Sequence, residues 1–465
     1  MCPIWPLHLV LLYLLAICPL WVLCQQLPQI SAVFNPNSAM IHMNLYEDVN
    51  VTVKGVGLLE NDEILVTTEN AGISFAEINS TSKLTQEDAD NGEWHGKIRI
   101  YGEFLGRTNI GIRAARNGEI SAANETVSVI VTRPERVIDT IFTASIALFV
   151  SLIFINFGCA MHWPTVKEVL KKPIGPVIGM VGQFIFMPLM TFGLGFLIFP
   201  DNAALHLGMF MTGVAPGGGA SNIWTFILGG NLNLSLAMTS ISTIFSFGFM
   251  PLWIFSLGQV VFANANIGVP YTNVITFVVG LLVPMSIGLA MQRFTPKIAA
   301  FMVKILKGFS STLLIFIIVF AIVTNLYIFQ LFTWQIVVAG MGIPWLGYMF
   351  GYALARIFKR PHKDALAISI ETGIQNTGIA IFLLRYALSQ PEADITTVIP
   401  VSAAIMTPIP MTAILIYQKI KGCMGALSPE EIDTKKSWKT PSHPYMKSAS
   451  PTASQPLMAT SNSAA

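Results

Sequence analysis

The chain has 465 residues, and its 27 Lys/Arg and 25 Asp/Glu make up only 11% of them, against 53% hydrophobic residues. Soluble globular proteins carry about 25% charged residues. The composition therefore excludes a soluble enzyme, a disordered scaffold and a nucleic-acid-binding protein, and it predicts an all-α polytopic membrane protein. The formal net charge of +2 is a near-cancellation that becomes informative only when the charges are sorted by region.

The N-terminal segment, residues 1–24, has a short polar flank and a long apolar run that ends before Gln25. This pattern predicts a signal peptide, with an uncleaved signal anchor as the alternative. Three of the five cysteines lie in this segment and none lies in residues 25–136. We therefore expect no disulfide within that region, despite the exported context.

Residues 25–136 form a region of different character. Val49, Val51 and Val53 alternate with polar residues, and turn signals such as Asn91-Gly92 separate similar runs. The alternation predicts a small antiparallel β-sandwich on the extracellular side. The region has 15 acidic and 9 basic residues, a net of −6 (9 − 15). Three Asn-x-Ser/Thr sequons predict N-glycosylation, with acceptors at Asn50, Asn79 and Asn124.

Nine apolar segments follow, each close to the roughly 20 residues that a membrane span requires. They lie at about 138–160, 174–199, 203–228, 231–257, 271–291, 309–329, 335–356, 365–388 and 394–418.

The charges between these segments set the topology. Thirteen Lys and Arg residues fall in alternate loops and after the last segment, all on one side of the predicted membrane. The positive-inside rule places them in the cytoplasm, with the N-terminus outside and the C-terminus inside. We expect nine transmembrane helices over residues 137–421, in the plasma membrane. Residues 422–465 are rich in Ser, Thr, Pro and Ala and predict a disordered cytoplasmic tail.

A single carboxylate lies deep in a predicted span. Seven acidic residues occur within 137–424, and six of them sit at span ends or in loops, whereas Glu371 lies well inside span eight. A charge at that depth costs several kcal/mol unless it is paired or solvated. Only Arg385, about four helical turns away, is available in the span, so an external cation is the simpler partner. A protonated structural glutamate is the alternative.

Two predicted spans contain helix-breaking residues. Span three carries Pro216 and Gly217-Gly218-Gly219, and span eight carries Gly373 and Gly378 around its polar cluster. Proline and glycine interrupt helices, and irregular backbone at membrane depth lines a cavity or is buried in protein. Span three crosses the predicted membrane inward and span eight crosses it outward. Each is the middle span of a group of three, spans two to four and spans seven to nine, and the two groups form an inverted pair. Inverted repeats with broken crossing helices are typical of secondary transporters.

The polar residues in these spans carry a resemblance to a known family. The matching stretches are Gln183 to Leu189, Pro216-Gly217-Gly218 with Ser221-Asn222, Asn233 to Thr239, and Glu371-Thr372-Gly373-Ile374-Gln375-Asn376. In order and spacing, residues 137–421 resemble the sodium/bile acid cotransporter family. The resemblance implies a core domain packed against a panel domain, with two co-transported sodium ions where the broken helices cross.

The same resemblance implies the site residues. One sodium ion would be held by Ser221, Asn222, Ser235, Thr239 and Glu371, and the other by Gln183, Glu371, Gln375 and a backbone carbonyl near Ile374. Substrate would lie beside Gly217, Gly218, Gly219 and Asn376.

Departures from the family pattern concern the substrate. Bile acid carriers usually have Ser where this chain has Ala215, Asn where it has Gly219, and Val-Gln where it has Thr377-Gly378. These changes remove polar groups beside the predicted cavity. For this reason we do not expect this chain to share the bile acid specificity of those carriers.

The predicted function is sodium-coupled symport of a small organic anion, such as a bile acid or steroid sulfate, by alternating access. The alternative is a transport-inactive receptor or scaffolding protein that acts through its extracellular domain. An intramembrane enzyme is disfavoured because the seven histidines are scattered, without metal-ligand spacing. Substrate identity and oligomeric state are left open by the sequence.

Overall fold

The computed structural model describes residues 27–134, 136–161, 163–304 and 332–424. The predicted signal peptide and the predicted sixth span lie outside these residues, as does the predicted tail from residue 425 onward.

The first described region is a β domain of eight strands and one short helix. The strands are β1 Gln29–Asn35, β2 Ser38–His42, β3 Tyr46–Val56, β4 Glu63–Thr68, β5 Ser74–Ile78, β6 Glu93–Gly102, β7 Gly106–Arg116 and β8 Glu119–Thr132. The helix α1 is Gln86–Asn91, and a capping box between Thr85 and Asp88 begins it.

Two four-stranded sheets pack face to face in this domain, in the orders β1-β3-β6-β5 and β2-β8-β7-β4. Alternate residues of β3 (Val49, Val51 and Val53) are buried between them, as the period-two pattern predicts. The prediction of a wholly antiparallel sandwich was wrong at one edge, because β2 pairs with β8 in parallel. The chain passes from β1 in one sheet to β2 in the other at Pro36, a residue that cannot donate a ladder hydrogen bond. The β2 strand then runs alongside β8.

The three sequon asparagines, Asn50, Asn79 and Asn124, are exposed. Asn50 lies on the outer face of β3, and Asn79 directly follows β5 in the same sheet. Their side chains are therefore accessible to a modifying enzyme, and their glycosylation stays a prediction.

The rest of the described chain is helical. After α1 the helices are α2 Val137–Ala160, α3 Trp163–Leu170, α4 Ile174–Ile198, α5 Ala203–Val214, α6 Ala220–Ile227, α7 Leu232–Ile254, α8 Leu257–Asn264, α9 Tyr271–Phe294, α10 Trp334–Ile357, α11 His362–Gly373, α12 Thr377–Ala387, α13 Glu392–Met406 and α14 Pro408–Met424.

Six helical segments in the described residues are long and apolar enough to cross a membrane, and α13 with α14 counts as one of them. They confirm a polytopic membrane protein preceded by a β-rich region. Predicted spans three and eight are each divided into two shorter helices, α5 with α6 and α11 with α12. The nine-span count and the inverted repeats stay predictions.

One turn of α4 is π-helical. Gly182–Phe186 adopts the wider i→i+5 pattern, and α-helix resumes at Met187. Gln183 lies in this turn and is buried. Such turns are frequent at functional sites.

The α2 and α9 helices form a closely packed pair. A Cβ on Gly158 of α2 would lie 2.4 Å from the carbonyl oxygen of Met285, and one on Gly288 of α9 would lie 2.1 Å from that of Ile155. Only glycine permits this backbone approach.

The helices α4 to α7 and α10 to α13 pack mainly against one another, and we call them the bundle.

The β domain packs against one end of the bundle, which we call the β end. Leu105, in the turn between β6 and β7, is 3% exposed and joins a cluster with Phe199, Leu205 and Ile336. Met43 and Phe104 lie beside it. The same end carries ion pairs between the β domain and α13, so the two parts share an interface that is both apolar and charged.

Candidate cation site at the crossing of two broken helices

The two breaks lie side by side with antiparallel backbones. Residues 215–219 separate α5 from α6, and residues 374–376 separate α11 from α12. The amide of Gly218 donates to the carbonyl oxygen of Ile374 at 2.8 Å, and the amide of Asn376 donates to that of Pro216 at 2.8 Å. Each break therefore satisfies backbone groups of the other, which buried irregular backbone requires.

Close packing at the crossing explains why glycine is needed there. A Cβ on Gly217 would lie 2.9 Å from Oε1 of Glu371, and one on Gly218 would lie 2.8 Å from the carbonyl oxygen of Gln375. A larger residue at either position would push the two breaks apart. The carboxylate of Glu371 thus lies directly against the backbone of the other break.

Three hydroxyls hold the Glu371 carboxylate, which is 3% exposed. Ser221 Oγ donates to Oε2 at 2.7 Å, and Thr239 Oγ1 donates to Oε1 at 2.8 Å. Ser235 Oγ lies 3.3 Å from Oε2. These groups come from α6, α7 and α11, so the carboxylate joins both broken helices to a third helix.

Asn222 completes this oxygen cluster. Its Oδ1 lies 2.9 Å from Ser235 Oγ and 3.3 Å from Thr239 Oγ1. Each hydroxyl has one proton to donate, so Ser235 favours Asn222 at 2.9 Å over Glu371. All five residues predicted for the first sodium site therefore meet in one place. The cluster offers carboxylate, hydroxyl and amide oxygens, the ligand types that hard cations take.

The glutamines predicted for the second sodium site are also neighbours. Gln183 Nε2 donates to Gln375 Oε1 at 2.7 Å and to the carbonyl oxygen of Ala215 at 2.7 Å. Gln375 Nε2 donates to the carbonyl oxygen of Thr372 at 2.9 Å. The Ile374 carbonyl accepts the bond from Gly218 and retains a second lone pair.

A small cavity lies between Gln183 and Glu371. Its volume is about 10 Å³, close to the room that one water molecule requires. Its polar lining comes from Gln183, Ser242 and Glu371. The remainder of the lining is Pro176, Gly179, Met180, Met238 and Ile241.

Ser242 is a site residue that the sequence reasoning missed. It is buried, it lines this cavity, and its Oγ accepts a hydrogen bond from the amide of Gly217 at 3.1 Å. Its position three residues after Thr239 places both on one face of α7, a signal that could have identified it. Ser240 instead donates to the carbonyl oxygen of Leu236, and Asn233 is exposed.

The predicted substrate residues divide into two groups. Gly217 and Gly218 are buried in the crossing, whereas Gly219 and Asn376 are half-buried. The Asn376 side chain accepts from the amide of Ile379 at 3.2 Å and so caps α12. Four residues predicted to line one substrate site therefore differ in accessibility.

Glu371 forms no ion pair among the residues that the structure describes. Arg385, which the sequence left as its one available partner, lies 3.1 Å from Asp394 at the β end. The described residues likewise contain no group of His, Cys, Asp and Glu arranged for a metal ion. Hydroxyl and amide groups alone therefore surround the one carboxylate at the crossing.

Comparison with known proteins points to a family of transporters. The profile of the Sodium Bile acid symporter family matches residues 147–332, a range that includes Gln183, the first break and α7 but ends before Glu371. The mouse (Mus musculus) P3 protein is 31% identical over 276 residues, covering 59% of this chain and 58% of that protein. The match thus spans less than two thirds of that relative.

Two relatives with transporter names match over more of their length. The ileal sodium/bile acid cotransporter of Oryctolagus cuniculus is 29% identical, over 64% of this chain and 87% of that protein. Sodium/bile acid cotransporter 5 of Mus musculus is 26% identical, over 71% of this chain and 75% of that protein. On the family profile and these relatives, the chain is similar to the sodium bile acid symporter family.

Proposed function

We propose that the protein is a sodium-coupled symporter of a small organic anion and that it works by alternating access. The observation that carries the proposal is Glu371, a buried carboxylate that contacts three hydroxyls and, among the residues that the structure describes, no basic side chain. Burying a charge without a counter-charge costs several kcal/mol. A sodium ion in the oxygen cluster would supply that counter-charge.

Two sodium ions fit the two groups of ligands. The first would lie among Ser221, Asn222, Ser235, Thr239 and Glu371, and the second between Glu371 and the glutamines Gln183 and Gln375. Helix C-terminal carbonyls and interrupted backbone favour cations at such crossings. We add Ser242 as a contributor to the second site, because it lines the same cavity as Gln183 and Glu371.

Sodium binding would tie the two breaks and α7 together. Glu371 lies on α11, Ser221 and Asn222 on α6, and Ser235 and Thr239 on α7. An ion shared by all three helices would fix the spacing of the two breaks and thus the shape of the adjoining substrate site. Sodium and substrate would then favour the same arrangement, which is the thermodynamic basis of coupling.

The membrane potential would assist uptake. Two sodium ions with one monovalent anion carry one net positive charge inward, worth ~2.3 kcal/mol per 100 mV. This direction presumes the topology that the basic loops indicate, with the β domain outside and the C-terminus in the cytoplasm. We propose the plasma membrane as the location and nine spans with inverted repeats as the complete architecture.

The substrate class is an amphipathic organic anion. An open depression of about 350 Å³ lies on α7, lined by Ile244, Phe245, Gly248, Phe249 and Leu252. All five residues lie on this one helix, and the apolar surface they form suits contact with a steroid-like body. The family's bile acid specificity is not carried over, because Ala215 and Gly219 replace polar residues of the family pattern.

The test is sodium dependence in wild-type protein and in Glu371→Gln. We expect uptake of steroid sulfates or bile acids to fall at least tenfold when choline replaces sodium, and sodium to raise the melting temperature of purified protein. Glu371→Gln keeps the size of the side chain and one acceptor oxygen but removes the charge, so both responses should disappear.

Glu168→Gln is the matched control, because Glu168 is exposed on α3. It should retain both responses. A wild-type protein whose stability and uptake ignore sodium would contradict the proposal and favour a transport-inactive receptor.

A further inference from the structure

Arg133 joins three parts of the molecule at the β end. It lies between β8 and α2, and its guanidinium donates to Asp394 of α13 at 2.6 Å and to Asp139 of α2 at 2.5 Å. Arg133 is 6% exposed and Asp394 is 1% exposed. Asp394 also accepts from Arg385, in the last turn of α12, at 3.1 Å. Four charged side chains thus form a buried series from α2 to α12.

The two ends of this series belong to different groups of helices, which share one buried apolar cluster. Asp139 begins α2, which packs along α9 through Gly158 and Gly288. Asp394 and Arg385 belong to the bundle that contains the crossing. The α12 helix begins at the break itself, so Arg385 lies about 12 Å from Thr377 along a single rigid helix.

We propose that Arg133 is a positioning residue of the transport cycle, a latch that holds the α2–α9 pair to the bundle at the outer face. This inference rests on the proposed function. Release of Arg133 from Asp394 or Asp139 would let the two units separate on the side that carries the β domain. The series through α12 would connect this step to the crossing at Glu371.

The charge arrangement suits a contact that opens and closes. If Arg133 leaves Asp394, that carboxylate keeps Arg385, and if it leaves Asp139, that carboxylate keeps Arg136, whose Nε lies 3.2 Å away. Removing the partner of a singly paired buried charge is strongly unfavourable. Because each carboxylate has a second arginine, opening leaves no acidic group without a counter-charge.

The β domain would move with the bundle and not with α2. Leu105 packs into the bundle, and Arg107 pairs with Glu392 of α13 through two contacts, one of them at 3.3 Å. Only the short segment around Arg133 connects β8 to α2. That segment would act as the hinge, with the latch residue inside it.

The test measures the separation of the two units directly. Spin labels at Val137→Cys on α2 and Ser389→Cys in the turn between α12 and α13, both exposed positions, report the distance across the latch. The full-length protein carries serine in place of Cys2, Cys18, Cys24 and Cys423 to prevent unwanted labelling, and Cys159 is buried. Distances are recorded in sodium chloride and in choline chloride.

We expect Arg133→Gln to raise the population of longer distances at least fivefold, a typical coupling magnitude. Asp139→Asn, which removes the other end of the bridge, should do the same. Arg107→Gln is the matched control, because it weakens β-domain docking but leaves the bridge intact, and its distances should equal those of the wild type.

Unchanged distances in both bridge variants, or an equal change in Arg107→Gln, would overturn the latch. The outcome for the proposed function is separate. A wild-type distance distribution that ignores sodium counts against coupling, whereas the bridge variants still test the latch in choline alone.

Discussion

Two buried carboxylates in this protein are stabilised in opposite ways. Glu371 at the crossing is 3% exposed and accepts hydrogen bonds from the hydroxyls of Ser221 and Thr239, whereas Asp394 at the β end is 1% exposed and is paired with two arginines. Both lie in helices of the same bundle. The difference is that Asp394 has basic partners within the described part of the chain, whereas Glu371 has none there.

This contrast separates a structural charge from a functional one. Hydroxyls stabilise a carboxylate through dipoles but do not cancel its charge, so Glu371 retains a net attraction for a cation. The arginines beside Asp394 leave no such attraction. A carboxylate surrounded by neutral donors in a membrane bundle is therefore the one to expect in ion binding.

The largest expected effect comes from neutralising each carboxylate in turn. Asp394→Asn removes the carboxylate that Arg133 and Arg385 share, while Arg133 keeps Asp139, so the substitution should cost about 1–3 kcal/mol of stability. Glu371→Gln removes a charge that has no counter-charge, so stability without sodium should be unchanged or higher. Thermal unfolding of purified full-length protein in choline chloride measures both.

The stabilisation by sodium should be lost in Glu371→Gln and retained in Asp394→Asn. Asp394→Asn should still be stabilised by sodium, measured as the shift in melting temperature between choline and sodium chloride. Equal losses of sodium response in the two variants would show that the two carboxylates are not distinguished as we describe.

A smaller effect is expected from one hydroxyl of the crossing. Thr239→Val keeps the side-chain shape but removes the 2.8 Å hydrogen bond to Glu371. One such bond is worth about 1–1.5 kcal/mol, so the sodium concentration for half-maximal stabilisation should rise about tenfold.

Ser240→Ala provides the comparison for this variant. Ser240 is adjacent on α7 but donates to the Leu236 carbonyl, so its loss should leave the sodium titration unchanged. If the half-maximal sodium concentration rose equally in both variants, the rise would come from a less stable α7 helix and not from lost sodium coordination.

The smallest effect concerns Asp62, a third buried carboxylate, in the β domain. Burial alone would raise its pKa, but hydrogen bonds from Arg116 and from the amide of Leu59 outweigh burial and lower the pKa below 3.8. Ionised Asp62 thus stabilises the fold fully above the unfolded pKa of about 3.9. That contribution is lost as pH falls through the lower folded pKa.

Asp62→Asn should therefore reduce, by about 1 kcal/mol, the loss in free energy of unfolding that occurs as the pH falls. Thermal unfolding between about pH 3 and pH 7 measures it. The control is Glu60→Gln, since Glu60 is exposed and forms no ion pair among the described residues. An acid limb identical to wild type in Asp62→Asn would show that the pair with Arg116 contributes nothing.

The sequence predicted the crossing well because its signals are local. Pro216, the glycines and an intramembrane carboxylate each violate a rule for apolar helices, and such violations can be read from short stretches of sequence. Ser242 was missed because a hydroxyl in a helix usually bonds its own backbone, and nothing in the sequence indicates that it accepts from Gly217 instead.

The interface at the β end could not be predicted for a different reason. Arg133 and Asp394 are 261 residues apart in the chain, and Arg107 and Glu392 are 285 apart. The acidic pair was assigned to a span end, which is correct along the chain, yet both side chains are buried by the β domain. Only the docking of one region on another produces that burial, and no local pattern encodes it.

The π-helical turn at Gly182–Phe186 has a consequence for how this chain tolerates change in length. A π turn holds one residue more than an α turn, and each residue rotates a helix by about 100°. Deleting a single residue there would restore a continuous α-helix of unchanged hydrophobicity, yet it would rotate the Gln183 half of α4 relative to the half that contacts the β end. The extra residue therefore sets the rotation, about the helix axis, of one half of α4 relative to the other half.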